Sequence, residues 1–451
     1  IGLNISYRPT DNTSAKAAFN PDFTETPVDE ERDIHNNKYP PSYNENRLFF
    51  TEDLNAFGVG DGLFYTRNIM QPVYAFKYTA TGQDWNFAVM SAKDKETKEN
   101  GEIINADDNF NVIAFKKTIG NLSDHSTFLA RTNPQRDYYN YVFQTYPFLQ
   151  INPTMSMDAR FVLTCNQENH SEKEYGHRLS LGLNKRINNF SSALYCSYLS
   201  KDYKPGMASW ESQMNTNLVN AGWNLNYENY MNHSFIRTYS IYQNLNIDCE
   251  REDIKTIRNR YANIGMNLNF VNQTGISLNI NAGSDRLQTG LTDWYEADCN
   301  YSWSCFLPLN GYIGTTVGNN ISYMLSDVFL KKVFYGGFNG YLGPAVSYNV
   351  RNSHVIWKEF PADIPIDNEY DISNLDMELT FNSRFKIVSG VRYNNYNTVS
   401  DHPHLGYFST VYYYITPASS LYVGYKSTED EMNDSFERTS ASLWTKINIV
   451  F

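Results

Sequence analysis

No stretch of this chain of 451 residues approaches the run of about 20 apolar residues that a helix needs to cross a bilayer. A helical membrane protein is therefore excluded. Cysteine is scarce: Cys165, Cys196, Cys249, Cys299 and Cys305 are scattered. They form no C-x-x-C pair and have no histidine at zinc-like spacing, so neither a disulfide scaffold nor a structural zinc site is expected. They read as buried or lipid-facing thiols. Basic residues are outnumbered, 37 against 49 acidic, giving a net charge of −12 and a pI near 5.2. Nucleic-acid binding calls for a basic stripe, so no nucleic-acid partner is expected. The sequence starts at Ile1 with no charged-then-apolar leader; processing or truncation of the N-terminus is the expectation.

Catalytic signatures are missing as well. There is no H-E-x-x-H, no G-x-S-x-G, no phosphate-cradling glycine loop and no G-x-G-x-x-G ahead of a helix. Asp401-His402-Pro403-His404, His170 and His177 read as exposed loop residues. Adjacent carboxylates such as Asp107 and Asp108 face apart on extended backbone. The expectation is no enzyme, no catalytic residue, no cofactor and no metal.

What is abundant is aromatic: 35 Tyr, 27 Phe and 7 Trp. That is too much apolar surface for a disordered chain, yet the mean hydropathy is −0.52. Alternation resolves the conflict. Ala262, Ile264, Met266, Leu268 and Phe270 share one face; Asn263, Gly265, Asn267 and Asn269 share the other. After Asn272-Gln273-Thr274-Gly275 the pattern resumes with Ile276, Leu278, Ile280 and Ala282. Leu179, Leu181 and Leu183 repeat it, as do Leu405, Tyr407, Val411 and Tyr413. Period-2 runs of about nine to thirteen residues suit tilted strands that cross a bilayer. The small-and-amide face suits a wet lumen, and the apolar face suits lipid.

Turns alternate in length. Short ones stand at 81–83, 152–154, 188–189, 272–275 and 416–419; long polar loops are expected at 94–109, 166–176, 202–217, 361–373 and 426–440. Tyrosines at strand ends (Tyr138, Tyr139, Tyr141; Tyr412, Tyr413, Tyr414) fit an interfacial girdle. The last strand alternates to a terminal Phe451, which resembles the C-terminal signal read by the bacterial barrel-assembly machinery. The fold class is thus all-β: one large transmembrane antiparallel barrel over residues 1–451, with about 22–24 strands. About 23 can be counted, and with the C-terminus periplasmic this parity calls for a further strand ahead of Ile1.

Residues 21–62 break the alternation. So long a connection without strands is uncommon and usually functional. It is expected to fold into the lumen or over the outer mouth, with Arg47 and Glu52 pairing with the wall and Phe49 and Phe50 forming a satellite core. A plain external loop is the alternative.

Asn20-Pro21-Asp22-Phe23, Arg47-Leu48-Phe49-Phe50-Thr51-Glu52 and Leu63-Phe64-Tyr65-Thr66-Arg67-Asn68-Ile69 resemble motifs of an uncharacterised family of bacterial outer-membrane barrels. Leu48, Asp53 and Asn68 depart from its pattern. Full-length members join an N-terminal domain similar to carbohydrate-binding module family 9 to the barrel, so the resemblance implies such a domain upstream. It marks Asn20, Pro21, Asp22, Phe23, Arg47, Phe49, Phe50, Glu52, Tyr65 and Arg67 as the plug motif. The function expected is a plugged or gated pore of a Gram-negative-type outer membrane, its solute carbohydrate-related if the upstream module binds sugar. The alternative is a structural subunit of a secretion or assembly complex. Expected partners are outer-membrane lipid, the barrel-assembly machinery and other outer-membrane or periplasmic subunits.

Overall fold

A computed structural model describes residues 3–21, 38–39, 42–45, 47–57, 63–99, 102–209, 216–231, 234–287, 290–306, 309–323, 325–358, 369–395, 403–416, 419–432 and 435–448. Asp22, Phe23 and Phe451 lie outside them. The chain opens with β1 (Leu3–Thr10) and β2 (Thr13–Phe19). Two single-turn helices follow, α1 (Leu48–Thr51) and α2 (Leu54–Phe57), before β3 (Pro72–Thr81) and β4 (Trp85–Asp94). A small separate hairpin, β5 (Thr97–Glu99) and β6 (Glu102–Asn105), precedes β7 (Asn109–Ile119), β8 (Leu122–Asn133) and β9 (Tyr138–Asn152). Next come β10 (Met155–Gln167), β11 (Glu174–Ile187), β12 (Phe190–Leu199), β13 (Leu218–Tyr230) and β14 (Ile236–Glu250). Then follow β15 (Ile257–Phe270), β16 (Thr274–Leu287), β17 (Gly290–Phe306), β18 (Leu309–Ser322) and β19 (Asp327–Leu342). The chain continues with β20 (Val346–Lys358), β21 (Glu369–Asn382), β22 (Phe385–Asn394), β23 (His404–Tyr414), β24 (Ser420–Met432) and β25 (Ser435–Asn448).

All but β5 and β6 join one 23-stranded antiparallel sheet in which each strand pairs with its neighbours in sequence. Only closure removes the edges of so large a sheet in a membrane, and the architecture is a large transmembrane barrel. Because the strand number is odd, β1 and β25 run in the same direction.

The register places the alternation as expected. Ala262 faces Ala282 and Asn263 faces Asn281 across β15 and β16. Ile113, Phe128, Leu181, Trp223, Ile264, Ile280 and Ile313 are exposed on the outer, lipid-facing side. On the inner side of β7 the residues Phe110, Val112 and Ala114 are buried. Aromatic rings gather where strands meet the short turns. Phe190 contacts Tyr227 at 5.6 Å, Tyr227 contacts Tyr239 at 5.9 Å, and Phe235 contacts Phe270 at 5.0 Å. This is the interfacial position that amphipathic rings favour. Two-residue turns need left-handed backbone, supplied by Gly120 (φ +58°) and Asn188 (φ +52°).

The expected long loop at 426–440 is a strand hairpin instead: β24 and β25 stay paired out to Met432 and Ser435. The acidic residues there do not end the strands, because a hairpin that projects into water can be polar on both faces and keep its ladder. The loop expected to run to Ser373 likewise ends earlier, with β21 starting at Glu369.

Candidate functional site

The inner face of the first strands carries an arrangement that only register reveals. Lys16 on β2 and Lys77 on β3 are directly opposed. Like charges in that relation repel, and both side chains are almost fully buried, 6% and 2% exposed. The compensation comes from residues 49–53. Lys77 Nζ donates to the Phe49 carbonyl at 2.5 Å and to the Glu52 carbonyl. It thereby satisfies acceptors that the end of α1 leaves without helical partners. Lys16 Nζ binds Glu52 Oε2 at 2.6 Å and Asp53 Oδ2 at 2.8 Å. Asp53 takes the left-handed conformation that turns α1 into α2 (φ +58°). Burial pushes its carboxyl upward, but the Lys16 ammonium outweighs this and holds the group below the usual carboxylate range.

Apolar packing completes the docking. Phe49, Phe50, Phe57, Leu63, Phe64 and Ile69 form one buried cluster with inward-facing wall residues, among them Ala18, Ala75, Met90, Val112, Leu129 and Val162. The wall side chains are mostly small, which leaves room for the six large ones of the segment. Phe49 and Phe50 meet edge to face at 5.2 Å. Arg47 is buried under them, 4.4 Å from the Phe50 ring. Its guanidinium grips Glu45 through Nε (2.8 Å) and Nη2 (2.6 Å) and donates to the carbonyls of Thr66 (2.8 Å) and Ile69 (2.5 Å). Burial works to raise the Glu45 carboxyl, yet Arg47 and the Thr66 hydroxyl more than offset it and the group stays ionised below its ordinary range.

Of the expected motif residues, Glu52 pairs with the wall through Lys16, and Phe49 and Phe50 share a core. Arg47 ties its own segment together through Glu45, Thr66 and Ile69. Tyr65 accepts from the Tyr43 backbone N–H at 2.9 Å and donates its own N–H to Met207 O at 2.8 Å. Arg67 donates to Asn44 O at 2.9 and 2.6 Å. Asn20 has left-handed backbone (φ +42°), and its N–H reaches Val73 O at 2.6 Å. Pro21 follows it in coil. Further round the wall, Lys38 binds Asp285 at 2.8 Å.

The expected outer loop 202–217 in part folds inward. Asn68 Nδ2 donates to the carbonyls of Met207 and Ala208, both at 3.0 Å. Arg131 donates to Gly206 O at 3.1 Å, and Gly206 N–H donates to Asn140 Oδ1 at 2.9 Å. A Cβ at Gly206 would lie 2.6 Å from the Tyr138 hydroxyl. Polar composition marks a loop but not the side to which it folds.

Between the segment and the wall of β11–β14 lies a cavity of about 740 Å³. Asn44, Glu45, Tyr65 and Thr66 line one side; Arg178, Ser197, Asn220, Asn246 and Asp248 line the other. Further round the lumen, from β14 to β18, runs an amide ladder: Asn244 to Asn263 (3.0 Å), Asn263 to Asn281 (2.7 Å), then Asn281 (3.1 Å) and Asn320 (2.6 Å) to Glu296. Sequence reading found the amides but not this connectivity. Among the described residues no cluster of three His, Cys, Asp or Glu is placed to hold a metal ion. His404 pairs with Asp430 at 2.7 Å and His170 with Asp137 at 2.8 Å. Asp107 and Asp108 do not face apart; in their loop both accept from Asn133 Nδ2, at 3.0 and 2.9 Å.

Barrel, inner-face segment and polar lumen together define the class of fold used by outer-membrane receptors and transporters. The siderophore receptor PirA from Pseudomonas aeruginosa matches with a TM-score of 0.52 at 9% identity, over 78% of this chain and 78% of that one. A mutant form of the ferric enterobactin receptor PfeA from Pseudomonas aeruginosa matches with 0.53 at 8% identity, over 82% and 76%. The copper transporter OprC matches with 0.50 at 9% identity, over 84% and 77%. At such identities the likeness is one of fold. Residues 1–88 match a domain of unknown function, DUF5916, a span that contains β1–β3, the docked segment and the first residues of β4. No curated protein matches.

Proposed function

We propose that the chain is a plugged transport-type pore of an outer membrane, with its C-terminus in the periplasm and the insertion at 21–62 as the plug. The observation that carries this reading is the opposed Lys16–Lys77 pair, whose burial makes sense only when residues 49–53 cover it. A wall that met nothing but lumenal water would gain little from two facing ammonium groups. The fold neighbours, receptors and transporters by name, support a non-enzymatic transport role. A carbohydrate-binding domain on the same polypeptide, implied by the resemblance, belongs to this proposal and is tested by the mass of the protein extracted from its native membrane.

The deciding experiment compares the intact barrel with a deletion of residues 21–62 in planar bilayers, with folding checked by heat-modifiable migration. The intact protein should conduct poorly, and the deletion should show large, long-lived conductance. Equal conductance, or no flux through either form, refutes the plug.

A further inference from the structure

We propose that the cavity between the plug segment and β11–β14 binds an uncharged, hydroxyl-rich solute; this rests on the plugged-pore reading and names the substrate class of that pore. Its volume of about 740 Å³ falls within the range of small-ligand sites, about 300–1,000 Å³.

The charged groups of its lining are of both signs. Glu45 is closed by Arg47 at 2.6 and 2.8 Å and by the Thr66 hydroxyl at 2.6 Å. Asp248 accepts from the Asn220 amide, and from Asn246 at 3.4 Å. Arg178 on β11 and Asp248 on β14 stand three strands apart on the same wall and balance in sign. The wall thus carries no net charge, and a solute of one sign would gain no net attraction while losing its hydration on entry.

What remains is a surface of amides and hydroxyls, which donate and accept within a few ångströms of each other. Solute hydroxyls do both as well. Leu199 and Leu218, each 6% exposed, reach its edge from the buried core.

Plug and wall both line the cavity, so a solute there touches both and its binding is coupled to plug docking. The amide ladder repeats the same chemistry further round the lumen, and Tyr195 on β12 donates to the lining residue Asn246 at 3.2 Å. Tyr195 lies over Gly222, where a Cβ would stand 2.1 Å from its ring. Only glycine allows this approach.

The test is calorimetric titration of the intact barrel in detergent with raffinose and maltotriose, and separately with citrate and spermidine. At least one saccharide should bind, with citrate and spermidine at least about tenfold weaker, the penalty expected for a mismatch at a buried polar site. The double variant Asn220→Leu/Asn246→Leu should weaken saccharide binding by about tenfold or more, with heat-modifiable migration unchanged. Saccharide should also slow amide exchange over residues 42–69. Equal or tighter binding of citrate or spermidine overturns the assignment. So does saccharide binding that the double variant leaves intact, or no saccharide binding at all. The conductance of the plug deletion is independent of these results, so the solute class can fail while the plug stands.

Discussion

Replacing Lys77 with Met isolates the wall's hold on the plug. The ammonium makes two charge-assisted hydrogen bonds, to the carbonyls of Phe49 and Glu52. Such bonds contribute about 1.5–3 kcal/mol each, so the gross loss is about 3–6 kcal/mol. Part returns, because a buried cation and its repulsion from Lys16 disappear together. A net loss of about 3 kcal/mol is a shift of about a hundredfold in the ratio of docked to undocked plug. The helical amides report it directly: Phe50 N–H and Thr51 N–H bond to Arg47 O at 2.9 and 3.0 Å, and Ala56 N–H bonds to Asp53 O at 3.0 Å. Hydrogen exchange of peptides covering 48–57 should accelerate by about two orders of magnitude in Lys77→Met. Lys98→Met, on the exposed small hairpin, should leave it unchanged. Exchange over 48–57 within about twofold of the parent, in a barrel that still migrates as folded, would refute the claim that Lys77 holds the plug.

Two further outcomes follow from the same structure. Ile264 is 57% exposed on the lipid side, and Ile264→Arg should destabilise the barrel by about 2–4 kcal/mol in lipid, read as a lower urea midpoint for unfolding in vesicles. Asn267→Arg, on the lumenal face of the same strand, should cost clearly less. Glu45 and Asp53 both titrate below the ordinary carboxylate range. Their contribution to docking is thus fully present above the unfolded carboxylate pKa and fades as the pH falls through the lowered folded values. Protease access to residues 42–57 should therefore rise on acidification below about pH 4 and stay flat from there to neutrality.

Much of the fold was legible because strand alternation is local. The faces of Ala262–Phe270 and Ile276–Ala282 follow from side-chain period alone, and the hairpin turn fixes their register. Composition failed where it was asked to mark strand ends. Residues 426–440 are polar and acidic, yet they keep their ladder, because hydrogen bonding between backbones outlasts the apolar band. The site was less visible. Lys16 and Lys77 look like unrelated residues until Phe19 is set opposite Tyr74, and the long insertion between these strands hides that register. Phe49, Phe50 and Glu52 stood out by type and spacing. Their wall partners, being alanines and small aliphatics, carried no signal of their own.

The lysine pair also bears on how this protein diversifies. A substitution at position 16 leaves the Glu52 and Asp53 carboxylates without their cation, and loss of both carboxylates leaves Lys16 facing Lys77 with no opposite charge. Lys77 itself bonds backbone carbonyls, which no side-chain change at 49 or 52 removes. Positions 16, 52 and 53 should therefore covary as one unit, although one lies in the wall and two in the segment it holds, whereas position 77 should not follow the side chains at 49 and 52.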